Sequence, residues 1–168
     1  MPTDAPLLSI TTFLPLLGAV WILLMRGDPE AVARNARWVA WWFSIATFVV
    51  SLFVWFGFDR NSADFQFVEK HSWMPDFGIS YHMGVDGISV MFVLLSTLLT
   101  PICVLASWDS IRIRVKEYMV AFLVLETLMV GTFCALDFFA FYMFFEGVLI
   151  PMFLIIGVWG GPRRVYSA

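Results

Sequence analysis

Charge is scarce in this sequence. Only 14% of its 168 residues are Asp, Glu, Lys or Arg, against about 25% in a soluble globular domain. No run of basic residues occurs, so the electrostatic footprint of a nucleic-acid-binding protein is missing. Histidine and cysteine are rarer still, at two residues each. Cys103 and Cys134 fall inside apolar stretches, and neither a disulfide framework nor a zinc site is expected from them. His71 and His82 alone fall short of the three or four donors a zinc site takes. Only an acidic residue, Asp4, precedes the first apolar run, so no signal peptide is expected. What is abundant is apolar: 61% of residues are hydrophobic and 18% aromatic, with a mean hydropathy of +0.85. A soluble fold of this size cannot hide so much apolar surface. The composition excludes a soluble enzyme, a disordered chain and a collagen-like fibre, and predicts a polytopic membrane protein.

Five apolar spans are expected, at about 5–25, 38–57, 87–108, 118–136 and 138–159, in a single membrane domain over 1–168. Each has about 20 residues, enough at ~1.5 Å per residue to cross a ~30 Å hydrocarbon core. Lipid offers the backbone no hydrogen bonds, so the spans should be helices and the fold an all-α bundle. Arg26, Arg34, Arg37, Arg112, Arg114, Lys116, Arg163 and Arg164 fall on one side, and Arg60 and Lys70 on the other. By the positive-inside rule the N-terminus lies outside and the tail inside. Residues 58–85 form the long outer loop. Alternation at Phe65–Phe67 and Ile79–His82, around the turn signal Pro75-Asp-Phe-Gly78, predicts a short hairpin there.

Two acids stand inside spans. Glu126 lies in Leu123-Val-Leu-Glu-Thr-Leu-Met129 and Glu146 in Phe144-Phe-Glu-Gly-Val148. Such residues cost a few kcal/mol to insert, and they face a protein interior or a hydrated path. Both fall near mid-membrane, within roughly 6 Å of each other in depth. The bland alternative for each is a protonated carboxyl hydrogen-bonded in a bundle. Pro151 cannot donate its amide to the carbonyl of Gly147, which frees a backbone acceptor beside Glu146; an ordinary kink is the alternative. Asp86, in Gly84-Val-Asp-Gly-Ile-Ser89, reads as the N-cap that opens the third helix.

These residues carry a resemblance. Gly84-Val-Asp-Gly-Ile-Ser89, Ala106-Ser-Trp108, Phe144-Phe-Glu-Gly-Val-Leu-Ile-Pro151 and Gly157-Val-Trp-Gly160 resemble the antiporter-like subunits of respiratory complex I, and within them the N-terminal third of the chain M (mitochondrial chain 4) family. The resemblance implies about fourteen transmembrane helices built on inverted repeats, of which the fourth helix here would open the first. It implies that Glu146 is the proton-transferring glutamate of the fifth helix, whose partner is a buried lysine two helices later. The resemblance implies no defined role for Glu126, which is a second candidate for the proton path. The five spans contain no lysine. The resemblance further implies no cofactor in this chain, with NADH, FMN, iron–sulfur clusters and quinone held by other subunits. The implied partners are neighbouring antiporter-like membrane chains and the lipid bilayer, in a bacterial inner (plasma) membrane. The leading reading is a proton-translocating subunit of NADH:quinone oxidoreductase. A Mrp-type sodium/proton antiporter subunit and a purely structural membrane scaffold are the alternatives.

Overall fold

The computed structural model describes residues 6–168; Asp4, and Ala5 at the start of the first expected span, lie outside the described residues. The described chain is mostly helical. α1 covers Leu7–Leu24, α2 Pro29–Gly57, α3 Ser89–Ala106, α4 Val115–Cys134, α5 Phe138–Trp159 and the short α6 Arg164–Ser167. α1 to α5 are each long and apolar enough to cross a membrane. Between α2 and α3, β1 (Gln66–Met74) and β2 (Ile79–Val85) form the antiparallel hairpin. A 3-10 turn at Pro75–Phe77 joins them and ends on Gly78, whose φ of 67° suits a residue without a Cβ.

α2 is the element whose extent departs most from its expected span. It starts at Pro29, a favoured first helical position, and its 29 residues rise about 43 Å. That exceeds a ~30 Å core, so the turns carrying Arg34 and Arg37 extend past the apolar stretch. Arg37 Nη2 donates there to the Ile111 carbonyl at 3.0 Å. The buried side of α2 is Ala36, Ala40, Ser44, Thr47, Ser51 and Val54, a seam of small residues at helical spacing. Small residues let backbones approach closely, which is how membrane helices gain packing where apolar burial drives little.

α1 to α4 pack around two buried apolar clusters. One, at the basic end, joins Ala19, Ile22, Ala36, Ala40, Val104, Met119 and Leu123. The other, under the hairpin, joins Leu8, Val54, Met83, Val85, Val90, Val93, Val130 and Cys134. Cys103 and Cys134 are both free thiols. The hairpin is tied down where α4 turns into α5: Leu136 N donates to the His82 carbonyl at 2.8 Å, and Met83 bridges Ala135.

α5 packs on α4 and leaves the rest of its surface open; only Ala140 and Pro151 are buried on it. The α4–α5 contact is set by glycines. A Cβ at Gly131 would stand 2.5 Å from the Phe144 ring, and one at Gly147 would stand 3.1 Å from Leu128. Gly131→Ala is therefore expected to push α5 off α4 and to cost about 1–3 kcal/mol. A thermal-denaturation series of the purified full-length protein in detergent checks this. Gly87→Ala, where nothing lies within 4 Å, is the control.

Candidate functional site

A capping residue positions α5, the helix that carries Glu146. Asp137 opens α5: its carboxylate accepts from Phe139 N at 3.0 Å and Ala140 N at 3.1 Å. It also reaches Ser80 N of β2 at 3.4 Å, which ties the start of α5 to the hairpin. The amide of Ala140 first, then those of Ser80 and Phe139, hold this carboxyl below its usual range. Asp86, expected as the N-cap of α3, instead closes the turn that leads into it, two residues before the Ile88 N-cap. Its Oδ1 accepts from Ile88 N and from both Ser89 N and Ser89 Oγ, and the Ser89 amide is the main cause of its lowered pKa.

A carboxyl with a depressed folded-state pKa stabilises above its unfolded value and stops doing so as pH falls through the folded one. The protection of the Phe139 and Ala140 amides, taken against their intrinsic exchange rates at each pH, should therefore fall on acidification below about pH 4. In Asp137→Asn, which still caps, that dependence should vanish. Amide hydrogen exchange read by mass spectrometry on the full-length protein checks both outcomes.

Glu126 and Glu146 each lie eight residues from the hairpin end of their helices, about 12 Å deep. The Gly131–Phe144 and Gly147–Leu128 contacts fix the register of the antiparallel pair, and put the two acids within about one turn of each other in height. They are not brought together. Leu128 and Gly131 face α5, and Glu126 is on the opposite side of α4 at 3.6 residues per turn. Glu126 is 1% exposed, and neither carboxylate oxygen has a partner. Glu146 is exposed, on a face shared with Phe145, Leu149, Ile150 and Phe153, all more than half exposed. Pro151 sits inside α5, buried, one turn beyond Glu146 toward the basic end, and supplies no amide to the Gly147 carbonyl.

Among the described residues, no three His, Cys, Asp or Glu side chains gather as a metal site would need. A polar network unforeseen in the sequence lies at the hairpin end of α1. Glu69 of β1 accepts from Ser9 N at 3.0 Å and from Ser9 Oγ at 2.7 Å, and Ser9 Oγ meets the Tyr81 hydroxyl at 2.6 Å. Burial raises the Tyr81 pKa against the lowering effect of Ser9.

A family model described as "NADH-ubiquinone oxidoreductase chain 4, amino terminus" matches residues 29–135. The chain belongs to this chain 4 family. Its relatives include NADH-quinone oxidoreductase subunit M of Rhodobacter capsulatus, 53% identical over 163 residues, which are 96% of this chain and 31% of that protein. NADH-ubiquinone oxidoreductase chain 4 of Marchantia polymorpha is 47% identical over 96% of this chain and 32% of its own length. In the solved structures, a chain of respiratory complex I from Thermus thermophilus with bound NADH superposes with a TM-score of 0.75. Its identity is 25%, over 95% of this chain and 31% of that one. The chain thus spans about a third of the length of the curated relatives it matches. With its five apolar helices and bacterial relatives, this member of the chain 4 family is a multi-pass protein of the bacterial plasma membrane.

Proposed function

We propose that the chain is the amino-terminal part of a membrane-arm subunit of NADH:quinone oxidoreductase, and that Glu146 carries a translocated proton in it. One observation supports this above the others: a carboxyl near mid-span on an otherwise apolar, open helix face. Lipid against that face would cost a few kcal/mol, so protein covers it in the assembled state. A cation brought to Glu146 favours its charged form, and withdrawing the cation in a dry site favours the neutral one. Alternation between the two loads and releases one proton, with no electron passing through the chain. The covering protein is the remainder of the subunit, which supplies the lysine and the second, inverted repeat. Gly147, whose carbonyl Pro151 leaves free, offers a place to hold water next to the acid.

NADH, FMN, iron–sulfur clusters and quinone are held by other subunits, and neighbouring antiporter-like chains flank this one. Affinity purification of the full-length protein from its own membrane tests the assignment. Flavin and iron–sulfur absorbance co-purifying with it supports the reading. Recovery with membrane chains alone would point to a sodium/proton antiporter and overturn it. Glu126 remains the second candidate for the proton path, and its surroundings carry the next step.

A further inference from the structure

The ten buried polar side chains among the described residues are Glu126, Thr127 and eight serine or threonine hydroxyls of α1, α2 and α3. All ten lie between the two apolar clusters, along each helix in turn. On α1, Thr11 and Thr12 fall between Leu8 and Ala19. The hydroxyls of α2 fall between Ala40 and Val54, and those of α3 between Val93 and Val104. On α4, Glu126 and Thr127 fall between Leu123 and Val130. Near mid-depth, the interior of the bundle is therefore a layer of hydroxyls with one carboxyl.

The hydrogen bonds of the layer have one pattern. Each hydroxyl of α1, α2 and α3 bonds a carbonyl of its own helix three or four residues back, as Thr12 does to Leu8 at 2.7 Å and Thr100 to Ser96 at 3.0 Å. Ser51 and Thr97 also meet each other across α2 and α3 at 2.8 Å. Thr127 Oγ1 has no partner, like the Glu126 carboxyl. With their protons turned to the backbone, the hydroxyls present lone pairs, and a protonated Glu126 is the donor that suits them. Those backbone carbonyls already serve helix amides. A hydroxyl that leaves such a carbonyl gives up only one modest bond, and a bond to an ionised carboxylate is charge-assisted.

We propose that this layer is a second proton-binding site of the subunit. In it Glu126, sealed in the bundle with both carboxyl oxygens unpartnered, binds and releases a proton at the depth of the hydroxyls. The site is separated from Glu146 by the width of α4. When the Glu126 O–H bond breaks, the electron pair stays on the carboxylate and the proton passes to a water molecule drawn into the layer, which carries it away as hydronium. Toward the hairpin, Glu69 is bonded to Ser9, one turn from Thr12 on α1. Among the described residues of α1 to α4, no other ionisable group shares the layer. α1 has none; α2 has only Glu30, Arg34 and Arg37 near its basic end; α3 has only Cys103; on α4 the nearest are Tyr118 and Cys134, eight residues to either side. The inference rests on the proposed proton-translocating role of the subunit.

The test uses the whole complex reconstituted in vesicles, with proton uptake and NADH oxidation measured against pH, and the infrared band of protonated carboxyls followed in turnover. Glu126→Gln keeps a donor for the hydroxyls and should assemble. Its proton uptake should fall about tenfold, less than the roughly hundredfold of a group on the main transfer step. Glu126→Asp should restore much of it and shift the carboxyl band. An assembled Glu126→Gln complex with normal uptake and an unchanged pH profile would overturn the proposal. Should Glu126→Gln fail to assemble, the band decides: a wild-type signal that changes in turnover and moves in Glu126→Asp supports the site, and one constant through turnover overturns it. Glu146→Gln in the same preparation separates the two readings. Loss in Glu146→Gln with none in Glu126→Gln removes only this site. Loss in Glu126→Gln with none in Glu146→Gln removes Glu146 as the carrier and leaves this one.

Discussion

Glu146→Gln in the full-length protein is expected to give a complex that assembles and scarcely pumps. The amide keeps the volume and most of the hydrogen-bonding capacity of the carboxyl, so the α4–α5 contact at Gly131 and Gly147 should be undisturbed. What it removes is the proton and the charge that answers a nearby cation. A group that transfers a proton directly contributes about a hundredfold or more, and proton uptake should fall by that order. NADH oxidation falls with it wherever the two are coupled. Glu146→Asp keeps the acid but draws it back by one methylene, and should recover part of the activity. A gel of the assembled complex run beside the vesicle assay separates loss of transport from loss of assembly. Near-normal pumping by an assembled Glu146→Gln complex would reduce this carboxyl to a packing residue. A failure to assemble would mark α5 as a scaffold.

The features legible in the sequence were those that repeat along it. Five runs of apolar residues, too long for a soluble core, gave five helices, and the boundaries of α5 follow from Asp137 and Gly160 without further information. The hairpin was legible because Pro75-Asp-Phe-Gly78 is turn chemistry between alternating segments. Less visible was which way each side chain points. Glu126 and Glu146 look equivalent in sequence, yet one is sealed inside the bundle and the other opens outward. That difference is a rotation about two helix axes, decided by where Gly131 and Gly147 allow α5 to approach. The hydroxyl layer had a signal that a count of apolar residues passes over. Ser44, Thr47 and Ser51 recur every three or four residues, and Ser96 and Thr100 are four apart with Thr97 beside them. Each of these side chains satisfies itself on its own helix and costs little in an apolar span, so none stands out as an anomaly. The Ser9–Glu69–Tyr81 network joins residues sixty or more positions apart, and nothing local announces it.

Labelling should place the hairpin and the α3–α4 loop on opposite faces of the membrane. Ser72 on β1 and Ser110 beyond α3 are both exposed, and α3 crosses the bundle between the two apolar clusters. The loop at Ser110 carries Arg112, Arg114 and Lys116, beside Arg26 at the end of α1 around a cavity of about 480 Å³. That end also holds Arg34, Arg37, Arg163 and Arg164, against Arg60 and Lys70 at the hairpin. By the positive-inside rule an excess of this size is expected to orient the chain with its basic end in the cytoplasm. In a background with Cys103 and Cys134 replaced, Ser72→Cys should react with a membrane-impermeant maleimide added outside spheroplasts. Ser110→Cys should react only after the membrane is opened. The contrast is close to all-or-none, because a charged reagent does not cross the bilayer on the time of the assay. Reversed labelling would invert the orientation and put the hairpin, with Glu69 and Tyr81, on the side from which protons are taken up. Labelling of both positions from outside would break the five-crossing arrangement itself.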